Sequence, residues 1–136
     1  MANTVSVQAH QVSSTTTLGT ARGHEVLIDR PEAKEGTDKG AMGGELLLLA
    51  LGGCFMSNLL AAIRAREAQV SDIEVEIVGT MGTAPARFTA IELQITGTYQ
   101  DADLMEKLVT IAERGCLVAN SIKGAIDLSF SIAQKA

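Results

Sequence analysis

The hydrophobic and polar positions of this chain follow two periods. Over Asp72–Thr80 the pattern repeats every second residue, with Ile73, Val75 and Ile77 on one face and Glu74 and Glu76 on the other. Phe88–Thr98 does the same, setting Ile91, Leu93 and Ile95 against Glu92, Gln94 and Thr96. Ala125–Ile132 places Ile126, Leu128, Phe130 and Ile132 together. A period of two is that of a strand, and this alternation predicts an antiparallel sheet with one wet face. Thr4–Val12 and His24–Asp29 also have strand character, and Gly19–Gly23 between them suits a hairpin. The period changes over Asp101–Arg114, where Leu104, Leu108 and Ile111 form a helical stripe that Gly115 can end. A short helix is predicted over Leu117–Lys123, closed by Gly124.

One stretch follows neither period. Leu46–Ile63 carries no charge over 18 residues, a length that approaches a bilayer span. It contains Gly52, Gly53, Ser57 and Asn58, and nothing else in the chain is similarly apolar, so the prediction is a buried core helix over residues 45–68 and no membrane. So short a chain has little material to enclose such a helix, and a second copy could supply the cover; a homodimer is therefore expected. Pro31–Gly44 is charged, glycine-rich and aperiodic, hence a loop. The order β-β-α-β-β-α-α-β gives an α+β class in one domain, residues 1–136.

Composition narrows the function. Hydrophobic residues make up 46% and charged ones 20% of 136 residues, as in a folded domain. A net charge of −5 and 3% aromatics argue against nucleic acid, which needs a basic surface and stacking rings. The first residues lack the basic start and apolar run of a signal peptide, which predicts a cytoplasmic, reducing setting. There, two lone cysteines are more often reactive or inert than permanently bridged. Neither stands in a C-x-x-C or beside a histidine, so no metal site is expected. His10 and His24 read as polar strand positions, and Met42, Met56, Met81 and Met105 as core filler.

Cys54 follows Gly52-Gly53 in the apolar helix, and each glycine costs about 1 kcal/mol relative to alanine. Such a cost is tolerated where a backbone or a substrate must come close. Cys116 precedes the Leu117–Lys123 helix, whose N-terminal N–H groups would favour its thiolate. An inert core thiol is the competing reading for either one.

Taken together, Glu45-Leu-Leu-Leu-Leu-Ala-Leu-Gly-Gly-Cys54 and Gly115-Cys-Leu-Val-Ala-Asn-Ser-Ile-Lys-Gly124 resemble the two cysteine motifs of the OsmC/Ohr family. The resemblance implies antiparallel sheets wrapped around a long central helix, in an intertwined homodimer. It implies a peroxidase for organic hydroperoxides, in which Cys54 becomes a sulfenic acid and Cys116 condenses with it to a disulfide. The cofactor is none; an external thiol or dithiol is the reductant. In such sites an arginine stabilises the thiolate and a glutamate holds the arginine. Arg30 resembles the OsmC-branch position and is preferred, Arg22 resembles the Ohr-branch position, and Glu45 is the candidate glutamate.

The chain departs from the family pattern in three places. The loop before Glu45 has no proline, Leu117 replaces the proline usual after the second cysteine, and Arg30 stands where many relatives have an acidic residue. Glu45 also lies nine residues before Cys54, roughly 180° around an ideal helix. These departures keep open a non-catalytic dimer that binds an apolar small molecule, or a redox sensor using the same pair. A carboxylate-based acyl-thioester enzyme ranks last, since no paired acids stand out.

Overall fold

The computed structural model describes residues 3–135. These fall into two compact units that divide between Leu47 and Leu48.

The first unit contains a three-stranded antiparallel sheet in the order β1 (Gln8–Gln11), β2 (Thr17–Ala21), β3 (His24–Ile28). Two strands were expected in this region, and β2 is the addition. Ser13 turns the chain by accepting the N–H groups of Thr15 and Thr16 through its Oγ, and β2 then starts in the Ser/Thr stretch. Arg22 and Gly23, both at positive φ, form the two-residue turn into β3, as a type I′ hairpin requires. The loop after β3 is ordered by Asp29. Gly36 and Gly40 are needed there because a Cβ would strike the main chain at Arg30 and Leu27. Helix α1 (Gly43–Ala65) begins in this unit, and the Glu45 carboxylate accepts the N–H of Met42 at 2.8 Å, half of a capping box.

The second unit holds the sheet β4 (Val70–Gly82), β5 (Arg87–Tyr99), β6 (Asp127–Gln134), with β5 central. The period-two faces appear as expected: Ile91, Leu93 and Ile95 are buried, while Glu74 and Glu76 face solvent. The expectation of an antiparallel sheet needs one correction. β4 and β5 pair antiparallel, but β6 runs parallel to β5, matching Leu93 with Phe130 and Ile95 with Ile132. The cause is the long crossover through α2 (Ala102–Gly115) and α3 (Leu117–Ile122), which returns the chain to the end where β5 began. Asp101 starts α2 by accepting the N–H of Leu104.

The core joins the sheet's apolar face to the helices. Leu51, Phe55, Leu59 and Ala62 recur at helical spacing along α1 and are buried with Met105, Leu108 and Ala112 of α2. The Phe55 and Phe130 rings stand 5.3 Å apart. α1 is long and apolar enough to cross a membrane by length and composition, and this stripe packs it into a folded core. One chain leaves part of α1 uncovered, as its short length led us to expect: Leu49 is 59% and Leu60 42% exposed.

Candidate functional site: two thiols at the start of a short helix

Cys54 and Cys116 are both free, the first half-buried and the second fully buried. Cys54 lies on α1 one turn before Asn58, whose side-chain amide donates to the carbonyl of Ala112 at 3.4 Å and so ties α1 to α2. Cys116 is both the C-cap of α2 and the N-cap of α3. Its N–H closes α2 on the carbonyl of Glu113, and its sulfur accepts the N–H of Ala119 at 3.4 Å.

The first N–H groups of any helix have no partner within it. In α3 the Cys116 sulfur serves one of them, accepting the N–H of Ala119. Cys54 packs against the buried core cluster to which Cys116 belongs.

These contacts separate the two thiols. Burial disfavours a charge at Cys54, but the Val118 N–H, the Cys116 thiol and the Leu117 N–H together outweigh it and hold Cys54 below the ordinary thiol value. Burial pushes Cys116 up, and the nearby Cys54 sulfur adds to the rise against the N–H groups of Ala119 and Val118. The helix start was expected to favour a thiolate at Cys116; burial outweighs its N–H groups there. The pair is therefore biased towards a thiolate at Cys54 and a neutral thiol at Cys116, the direction that sulfur-centred nucleophilic chemistry needs.

The other candidates stand in the first unit. Arg22 is exposed at the hairpin turn, and Arg30 is exposed directly after Asp29. Glu45 lies inside the continuous helix α1, nine residues before Cys54, and its carboxylate is engaged at the helix start. Sequence reasoning missed the Asn58 tie and the Asp29 cluster. The His, Cys, Asp and Glu side chains form no metal-holding cluster among the described residues.

Fold and site together define an α+β protein with a dithiol centre. The chain belongs to the family described as OsmC-like protein, whose pattern matches residues 36–131. It is 30% identical over 125 residues to Protein YhfA of Escherichia coli strain K12, covering 88% of this chain and 90% of that one. Among solved structures it is similar to an OsmC-like protein from Mycoplasma pneumoniae, with a TM-score of 0.86, 14% identity and full coverage of both chains. An organic hydroperoxide resistance protein from Elizabethkingia anophelis gives a TM-score of 0.77 at 17% identity, covering 99% of each chain. At these identities the two structures speak for the fold.

Proposed function

We propose that this protein is a thiol peroxidase that reduces organic hydroperoxides, with Cys54 as the attacking sulfur and Cys116 as its resolving partner. The observation that carries the reading is two free thiols packed in one core, with their ionisation driven in opposite directions. The Cys54 thiolate attacks the outer peroxide oxygen, the O–O bond breaks, and the departing alkoxide takes a proton to leave as an alcohol. Cys54 is then a sulfenic acid. The sulfur of Cys116 displaces its hydroxyl, forming the disulfide and releasing water, and an external thiol or dithiol donates two electrons and two protons to restore both thiols. No bound cofactor enters this cycle.

The similarity to a hydroperoxide resistance protein supports the substrate class, as do the apolar neighbours Leu51, Phe55 and Val118 in the core where Cys54 packs. The reading places the protein in the cytoplasm, in oxidative-stress defence, and makes it a homodimer. Arg30, with Arg22 as the alternative, is assigned to orienting the peroxide. Glu45 joins only where an arginine reaches around α1, since it shares no helix face with Cys54.

The test is intact mass and free-thiol count after one equivalent of cumene hydroperoxide. Wild type is expected to lose both thiols and two hydrogens, Cys116→Ser to stop at a sulfenic acid, and Cys54→Ser to be inert. Thiols that survive in wild type at rates no better than free cysteine would return the protein to the ligand-binding reading.

A further inference from the structure

A helix leaves its final carbonyls without partners of its own. At the corner where α2 meets α3, three such carbonyls are answered from three parts of the chain. The N–H of Cys116 turns back to the carbonyl of Glu113 at 3.1 Å. The carbonyl of Arg114 accepts the side-chain amide of Asn120, in α3, at 3.0 Å. The carbonyl of Ala112 accepts the side-chain amide of Asn58 at 3.4 Å. Cys116 and Asn120 belong to the corner itself, whereas Asn58 comes from α1, the helix that carries Cys54.

Asn58 stands four residues after Cys54, and Ala112 four residues before Cys116, so each end of this bond lies about one helical turn from a cysteine. Asn58 also lies against the residue before Cys116: a Cβ on Gly115 would meet its Nδ2 at 3.6 Å and its Cγ at 3.8 Å. Helix stability alone does not call for an amide here, since leucine has much the same shape and a higher helix propensity. A half-buried amide offsets its lost hydration only through a bond such as this one.

We infer that Asn58 is a positioning residue for the dithiol: its amide clasps α1 to the α2–α3 corner and holds the two cysteines in the register in which they close to a disulfide. The inference rests on the proposed reading in taking Cys54 and Cys116 as disulfide partners, and it concerns the closing step. Attack on the peroxide needs Cys54 alone, whereas displacement of the sulfenic hydroxyl by Cys116 needs both sulfurs oriented together. A disulfide holds its Cβ atoms about 4 Å apart, so any loosening of α1 against the corner weighs on closure.

Asn58→Leu tests this directly, because leucine favours the helix but donates no hydrogen bond. Asn58→Ala serves where leucine does not fold. Each protein is equilibrated with mixtures of reduced and oxidised dithiothreitol, and the bridged fraction is read by mass after the free thiols are alkylated. In this exchange the protein's two thiols give two electrons and two protons to the cyclic disulfide of the reagent, which opens as the Cys54–Cys116 bond forms. The equilibrium constant for the protein disulfide is expected to fall about tenfold in either variant, raising its reduction potential by about 30 mV. A constant that stays the same, or rises, overturns the inference.

A single turnover separates positioning from general loosening. With one equivalent of cumene hydroperoxide, the variants are expected to form the Cys54 sulfenic acid as fast as wild type and then to accumulate it, as dimedone trapping reads. Variants that slow both steps alike overturn the inference, since their defect lies in the fold around Cys54. The peroxidase reading fails separately. A weakened bridge in a protein that ignores cumene hydroperoxide leaves the clasp established and removes the enzyme.

Discussion

At Asp29 a single carboxylate gathers the loop that follows β3. It accepts the hydroxyls of Thr37 and Thr16 and the N–H groups of Thr37, Lys39 and Arg30. The Thr37 hydroxyl is the largest influence, and with the other donors it overcomes burial and holds Asp29 far below the usual carboxylate range. A carboxylate with a depressed folded value stabilises the protein above its unfolded value, near pH 4, and that stability drains away as pH falls further. Asp29→Asn is therefore expected to melt lower than wild type at neutral pH and to close the gap below about pH 4. Thermal melts from pH 6 to pH 3 check this, and a constant gap would remove the carboxylate's charge from the explanation. Asp29 was not legible in the sequence, because its partners lie up to 13 residues away and no pattern marks them. The two cysteines were legible through their motifs. The bond from Ala119 to the Cys116 sulfur was not, since a main-chain N–H is common to every residue except proline and only the fold aims it.

Among the elements, α1 and β4 meet at Gly52. A Cβ on that glycine would stand 2.5 Å from the Cδ1 of Ile77 and must push it aside, whereas at Gly53 nothing lies within 4 Å. Gly52→Ala is expected to lose about 1 kcal/mol, the strain of overpacking exceeding the gain in helix propensity. Ile77→Val removes the Cδ1 that clashes, so the double variant is expected to recover most of that loss in urea unfolding. Additive losses would place the strain elsewhere. The sequence anticipated this helix and a close approach at its glycine pair, which the structure shows at Gly52 and not at Gly53. It also anticipated α2, α3 and the alternating faces of β4, β5 and β6, because each carries a clear period. It missed β2, whose five residues are too short and too polar to show one. It also missed the direction of β6, since side-chain alternation is the same in parallel and antiparallel strands.

For the whole molecule, the open question raised by α1 is its cover. Leu49 and Leu60 lie exposed on a helix with 18 uncharged residues in succession, and an apolar face of that kind marks an association surface. Sedimentation is expected to give twice the 14.2 kDa of one chain, and Leu49→Glu with Leu60→Glu to shift it towards the monomer. A monomeric wild type would end the homodimer reading and leave the dithiol site to work within one chain.

Cys54 and Cys116 stand 62 positions apart, and the chain between them carries β4, β5 and α2. In the proposed cycle the disulfide closes that whole stretch into a ring. Ring closure of this size removes freedom from the unfolded chain amounting to about 4 kcal/mol. The oxidised protein is therefore expected to melt higher than the protein held in dithiothreitol, and scanning calorimetry of the two forms measures the difference. Equal melting points would mean that strain in the bridge cancels the gain. Heat resistance would then rise and fall with each turnover, making the melting temperature a gauge of how much hydroperoxide the molecule has lately met.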